Sequence, residues 1–414
     1  MKERNSGKLF KMISAVLFVA FVLACGPAFA ELIKDDIDIV KARQKYKNGP
    51  SADPNFFPLM VWAQSPENAG KYKAIGINTY IGLHGGPKPG QIEALKAAGM
   101  NIICHMNEEA LKFKNDKAII SWLIIDEPEN WRPTLKTLKV ADKTWELNLD
   151  TAPVKRVSSK VMGEMYDVIK SKDDTRPVWV NFGCGLANKA YGGRGGGWKD
   201  SMYPDYMKFC DMISYDVYPV SDSGERYLWW QAKGLDKLKE YNGPDKPRAN
   251  CIGTNFTGDK KAPTPENTKT EIWISIIHGS KGIIYFCHNF KPKFQEAALL
   301  EDPKQRESVK KINEQITALA PVINSLDYDG AAVTSSDEKF PIDILVKRYK
   351  DETYIFAAVM KMGDPVTGAF QVKGVSAAGK VEVIGEGRTL EMDAKGQFKD
   401  EFKKWETHNY RIIK

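Results

Sequence analysis

The sequence predicts an α/β fold: a (β/α)8 TIM barrel followed by a small C-terminal antiparallel β-sandwich. Three observations carry this. Eight short β-rich apolar runs recur through the first three quarters of the 414 residues, helical patterns alternate with them, and beyond about Asp327 the helical period vanishes while short strands continue. Eight strand-then-helix units argue for a closed parallel barrel rather than an open doubly wound sheet. No glycine-rich dinucleotide fingerprint follows the first strand, which also counts against the open sheet.

The chain opens on a leader. Lys2, Arg4, Lys8 and Lys11 precede the apolar run Met12 to Ala24, and Ala28-Phe29-Ala30 follows, so an export signal cleaved before Glu31 is expected. The apolar run is too short for a lasting membrane anchor. The expected destination is secretion or the periplasm, with a lipoprotein anchored at Cys25, in Val22-Leu23-Ala24-Cys25, as the alternative.

The eight strands are Phe57 to Gln64, Ile77 to Leu83, Asn101 to Met106, Ile119 to Asp126, Pro177 to Gly183, Met212 to Val220, Arg248 to Phe256 and Gly282 to Phe290. Between them Val157, Val161, Met165 and Val168 keep a helical spacing, as do Leu228, Ala232 and Leu235, and Ile272, Trp273, Ile276 and Ile277. This last helix opens on Thr264-Pro265-Glu266: a capping residue, a proline in the first turn and an acid near the positive end of the dipole. Val309, Ile312, Ile316 and Leu319 supply the eighth helix, and Trp229 and Trp230 read as packing residues on the sixth. The sandwich strands are Ile342 to Tyr349, Thr353 to Met360, Ala369 to Val375, Lys380 to Ile384 and Tyr410 to Ile413, between Gly, Asp and Pro punctuation. The expected organisation is therefore leader 1–30, barrel 31–326 and sandwich 327–414.

Composition narrows the function. Loss of the leader removes four basic residues and one acidic one, and the formal charge falls from +7 to +4, too little to point to nucleic acid. Cys104, Cys184, Cys210, Cys251 and Cys287 are an odd number with no metal-type spacing, which fits buried free thiols better than a disulfide framework. A chain that is 43% apolar can bury one large core and an accessory one.

Barrel enzymes work at the C-terminal ends of their strands. Here those ends carry Trp62 and Gln64, Tyr80 and His84, His105, Asp126-Glu127-Pro128, Asn181, Asp216 and Tyr218, Thr254 and Asn255, and Tyr285 and His288. Carboxylates, amides, imidazoles and flat aromatic faces suit the hydroxyls and ring faces of sugars. Trp131, just past the acids, fits the same use. In the loop after strand five, Tyr191, Arg194 and Trp198 lie among glycines that permit a lid; a phosphate cradle is the rival, but no Lys-Ser/Thr pair follows. His84, His105 and His288 end neighbouring strands, yet hydroxyl recognition accounts for them without a metal.

At Ser121-Trp122-Leu123-Ile124-Ile125-Asp126-Glu127-Pro128 the chain resembles the TIM-barrel glycoside hydrolases whose fourth strand ends in Asn-Glu-Pro, where the Glu is the general acid/base. The resemblance makes Glu127 the acid. Asp126 stands where those relatives have Asn, and Asn250-Cys251-Ile252-Gly253-Thr254-Asn255-Phe256 holds no carboxylate where they place a nucleophilic Glu. The second acid then falls to Asp216 in Ile213-Ser214-Tyr215-Asp216-Val217-Tyr218-Pro219, which is similar to strand six of α-galactosidase-like and chitinase-type barrels. The ending, Phe398 to Phe402 through His408 to Ile412, resembles the closing sheet domain of many barrel glycosidases. The likeness covers the barrel frame and these motifs and leaves the family open.

The sequence thus implies a secreted glycoside hydrolase on a polysaccharide or oligosaccharide, without a cofactor. Carbohydrate is the expected partner; nucleic acid and a stable membrane span are not. Glu127 would protonate the leaving oxygen, and Asp216 or Asp126 would activate water or stabilise the cationic transition state. With one strand between them, Glu127 and Asp216 are expected about 6 to 9 Å apart, the spacing of inverting enzymes. The alternative is a catalytically silent glycan-binding protein on the same frame, with a polysaccharide lyase or esterase as a third reading.

Overall fold

The computed structural model describes residues 37–83, 86–132, 134–147, 156–191, 199–242, 246–255, 261–375 and 377–413. The expected leader and Cys25 lie outside them. Eight parallel strands close on themselves: Leu59–Trp62, Thr79–Ile81, Asn101–Cys104, Ile119–Asp126, Val178–Phe182, Met212–Asp216, Arg248–Gly253 and Ser280–Phe286. Each pairs with its neighbours in sequence order, and the eighth returns to the first.

The two-residue period of the strands builds two cores. Inward, Met60, Ile81, Ile103, Leu123, Trp179, Met212, Cys251 and Ile284 plug the barrel. Outward, Val61, Tyr80, Ile102, Trp122, Val180, Ile213, Ile252 and Ile283 meet the helices. Strand four breaks this rhythm, because its register against strand five shifts between Leu123 and Ile125. One extra residue there changes which way the acids that follow are aimed.

The helices begin where the sequence marks them. Ser158 caps Ser159–Lys172 through Val161 N–H, and Thr264 and Asn267 form a reciprocal capping box on Pro265–Ile277. Asp302 caps Pro303–Ile323, which buries Val309, Ile312, Ile316 and Leu319. Among the described residues no helix is long and apolar enough to cross a membrane. Among the described residues Cys104, Cys184, Cys210, Cys251 and Cys287 are free thiols, all buried except Cys184, which is partly so.

The C-terminal sandwich has one sheet of Ala331–Ser335, Val366–Val372 and Gln397–Phe402 and another of Ile342–Tyr349, Glu352–Val359, Thr407–Ile413, Gly379–Val383 and Arg388–Met392. Ala331–Ser335 and Arg388–Met392 escaped the sequence reading because they are short, only half-buried strands. The polar hairpin Thr137–Val140 and Lys143–Glu146 escaped it too, since Ala141 takes the left-handed turn position that Gly usually marks. At the seam with the barrel, Trp273 stacks on Phe356 with centroids 5.6 Å apart, and Thr270 donates to the Trp405 carbonyl. His278 lies between Asp236 at 2.9 Å and Asp343 at 3.3 Å. Burial works against its charge, but the two carboxylates outweigh it and raise its pKa to about 9.

Candidate active site

A relay of hydrogen bonds crosses three strands just above the plug. Trp179 Nε1 donates to Ser214 Oγ at 2.8 Å, Ser214 Oγ to Asn181 Oδ1 at 2.7 Å, and Asn181 Nδ2 to Asp126 Oδ1 at 2.9 Å. Strand alternation puts Trp179, Asn181 and Ser214 on the inner face, and the register shift in strand four brings Asp126 there with them. Asp126 is thereby oriented at the mouth, and Arg132 donates to its backbone carbonyl.

Glu127 follows in a conformation that side chains avoid. Its φ is +44°, its N–H donates to the Asn181 carbonyl at 2.7 Å, and its own carbonyl accepts from Asn130 N–H. A non-glycine residue in this region stores strain that the surroundings must hold. The turn lets adjacent acids both serve the mouth: Asp126 meets Asn181, while the Glu127 carboxyl swings over Gly183. A Cβ on Gly183 would lie 2.7 Å from Glu127 Oε1 and 2.9 Å from Asn130 Nδ2. Only glycine gives the carboxyl that seat.

Glu129, which the sequence reading passed over, lies behind the same glycine and is fully buried. Its Oε1 accepts from Gly183 N–H at 2.6 Å, while Oε2 has no hydrogen-bond partner among the described residues. Burial first, and the charge of Glu127 second, push its pKa up to about 8. Burial thus favours the protonated form of Glu129.

Asp216 ends strand six, and Tyr218 donates its hydroxyl to it at 3.4 Å. The Tyr218 phenol is held well above its usual value by burial and then by Asp216, Cys251, Glu127 and Asp126. The Cys251 thiol is raised by burial and then by Asp216, Asp126 and Glu127. All three carboxyl groups thus act on both residues. At the end of strand seven a Cβ on Gly253 would meet Tyr218 Cδ1 at 2.9 Å, so the Tyr218 ring occupies the space that a side chain there would need.

Aromatic rings edge the mouth. Trp62 packs on the inner plug, with its ring 3.7 Å from the Cβ that Gly82 lacks. Trp131 is 47% exposed. Tyr218 packs against Phe286 with centroids 5.0 Å apart, and His288, Phe290 and Phe294 continue the cluster outward. Gln64 Nε2, a donor, contacts His288 Nε2 at 3.3 Å, which makes that ring nitrogen an acceptor. Asn255 is nearly buried and accepts from Thr254 through its side-chain oxygen. His105 donates from Nδ1 to the Leu123 carbonyl at 2.9 Å, and burial keeps its pKa low.

Two rim assignments need correction. Tyr80 and Tyr285 face outward: Tyr80 packs edge-on to Tyr72 and donates to the Ser65 carbonyl, and Tyr285 donates to Asn313 Oδ1 in the last barrel helix. The runs around them were aligned by their ends, which gives no parity; the inward set is fixed by Met60, Ile81 and Ile284. Asn181 is reassigned as well. It is 1% exposed and engaged with Ser214 and Asp126, so it orients an acid rather than gripping a sugar. His84, Arg194 and Trp198 lie outside the described residues, as does Tyr191's side chain. Among the described residues no group of three or more His, Cys, Asp or Glu is placed to hold a metal ion.

No family model matches the sequence, and no curated protein does. Among solved structures the chain is similar to an alpha-amylase from Geobacillus thermoleovorans complexed with acarbose, at 13% identity over 84% of this chain and 91% of that one, with a TM-score of 0.48. It is also similar to a glucosidase from Croceicoccus marinus, at 10% identity over 87% and 96%, TM-score 0.46. A third chain, described as a glycoside hydrolase, gives 12% identity over 86% and 92%, TM-score 0.48. These neighbours are glycoside hydrolases, but at such distances the chemistry of this chain must come from its own residues.

Proposed function

We propose that the protein is a secreted glycoside hydrolase acting on a polysaccharide or oligosaccharide, with Glu127 as general acid and Asp216 as the base that activates water. The observation that carries this is the strained Glu127 backbone, which aims a carboxyl over Gly183 at the C-terminal end of a barrel strand. Such strain persists in a fold only when neighbouring contacts hold it, and it concentrates at working sites.

In this reading Glu127 gives its proton to the glycosidic oxygen as the bond breaks. Asp216, steadied by the Tyr218 hydroxyl, takes a proton from the attacking water on the other face of the ring, as a separation of about 6 to 9 Å allows. Asp126, fixed by Asn181, adds negative charge that favours an oxocarbenium-like transition state. Trp62 and Trp131 offer stacking faces, and His105, Asn255 and His288 offer polar atoms for hydroxyls.

A second reading, a catalytically silent glycan binder, is favoured by one feature: Tyr218 fills the space at Gly253 where a strand-seven carboxylate would stand. The experiment that separates the two is a polysaccharide screen with reducing-end detection, run on the parent, Glu127→Gln and Asp216→Asn. New reducing ends from the parent that fall by about 10²-fold or more in Glu127→Gln, with the fold intact, support hydrolysis. Unsaturated ends indicate a lyase. Retention on the glycan without cleavage identifies the binder.

A further inference from the structure

Large apolar side chains left in water are few among the described residues: Trp131, Phe290, Phe294, Leu326 and Met362. Three of these five flank the barrel mouth. Trp131 follows strand four, and Phe290 and Phe294, 48% and 56% exposed, follow strand eight. In the closed barrel order these two strands are diametrically opposite. Asp126 ends strand four, Glu127 follows it, and Asp216 ends strand six, midway round the ring between strands four and eight.

The strand-eight group is a built wall. Phe290 lies nearly parallel to His288, at 16° with centroids 6.1 Å apart, and Phe294 lies at 26° to the same imidazole. Phe286 joins the wall to Tyr218, whose hydroxyl reaches Asp216. The loop that carries it is pinned at its base, since Asn289 and Gln295 exchange two backbone hydrogen bonds of 2.8 Å and a side-chain bond of 2.9 Å. Rings held in water by a fixed backbone are preorganised for a ligand with flat apolar faces.

From this we propose that the mouth takes an internal stretch of an extended glycan chain, held on both sides of the acids. The Phe286–Phe290–Phe294 wall grips one side and Trp131 the other. This deepens the glycosidase reading and rests on it for the sugar chemistry. A protein or lipid surface seated on both aromatic groups would take these carboxyls further from water and would have to supply a donor to each. A sugar chain pairs apolar ring faces with hydroxyls that can donate to those carboxylates.

Affinity electrophoresis tests this without needing turnover. The parent, Glu127→Gln, Trp131→Ala and the double variant Phe290→Ala/Phe294→Ala are run through gels containing xyloglucan, arabinoxylan, galactomannan, laminarin or pullulan. The parent and Glu127→Gln are expected to be retarded equally by at least one of these. The Phe pair should weaken that retardation on the order of tenfold, and Trp131→Ala by several-fold. Hexasaccharides of the retarding polymer should release the parent, whereas the monosaccharide at equal sugar concentration should not. Because Trp131, Phe290 and Phe294 are exposed, unchanged melting temperatures are expected for their variants and are checked, as is that of Glu127→Gln. Equal retardation of the Phe double variant, release by the monosaccharide, or no retardation of the parent on any gel overturns the extended-chain cleft. Retardation without new reducing ends removes the hydrolase reading and leaves the cleft standing.

Discussion

The two ends of the barrel treat a buried acid in opposite ways. At the N-terminal end Asp173 accepts from Trp122 Nε1 at 2.9 Å, from Thr175 through N–H and hydroxyl, and from Arg176 Nη1 at 2.5 Å. Burial pushes its pKa upward, yet the hydrogen bonds from Thr175, Arg176 and Trp122 outweigh burial and leave it below the usual carboxylate value. At the C-terminal end Glu129 receives one backbone N–H, and burial raises its pKa to about 8. Deeper burial and fewer donors together set Glu129 apart from Asp173. His278, at the seam near the base, follows the base's rule by keeping its charge between two carboxylates. One end of the barrel ties its buried acid to several donors, and the other holds Glu129 on the Gly183 N–H beside a strained turn.

Removing the donors at the base should have the largest effect. Arg176 also donates to the carbonyls of Ile119, Lys114 and Asp116, each at 2.6 Å, so Arg176→Ala strips one buried charge of its partner and three carbonyls of their donor. A loss of about 3–5 kcal/mol is expected in urea unfolding. Glycan retention by the folded fraction should be unchanged, because the mouth is at the other end. A loss under about 1 kcal/mol would erase the contrast.

The next effect belongs to Glu129 and depends on pH. Its folded pKa, about 8, lies above the ordinary 4.5, so folding takes up a proton between those values. Its contribution to stability therefore falls as pH rises through that window, by at most about 1.4 kcal/mol per unit, and levels off above pH 8. Glu129→Gln cannot ionise, and its stability should gain on the parent from pH 5 to pH 8. Parallel stability curves for the two proteins would show that Glu129 is ionised at neutrality like its counterpart at the base.

The smallest effect sharpens the geometry of the mouth. Gly183→Ala puts a methyl 2.7 Å from Glu127 Oε1, and the carboxyl must swing aside. The cost in stability should be about 1 kcal/mol. Turnover of the parent's substrate should fall about tenfold while polysaccharide retention persists. An unchanged rate would mean that the carboxyl works from another position.

Much of this was legible in the sequence. Periodicity located all eight barrel strands, the Thr264 cap marked the start of a helix, and the change of period near Asp327 announced the sandwich, because these signals are local to a few residues. The same local logic put Asp126, Glu127 and Asp216 at strand ends. It could not fix which neighbours face inward, since a register shift in strand four and a left-handed turn at Glu127 reset the alternation. Nor could it find Glu129 or the Phe290 and Phe294 wall. An acid directly after a motif looks like loop solvation until Gly183, 54 residues away, packs over it, and exposed rings look incidental until barrel closure sets strand eight opposite strand four. The sequence by itself determined the elements, their order and the residue types at the mouth, because those depend on short-range period and propensity. Only the tertiary structure decided which acids are charged and which aromatics face each other, because burial, donor count and opposition across a closed ring depend on residues far apart in the chain.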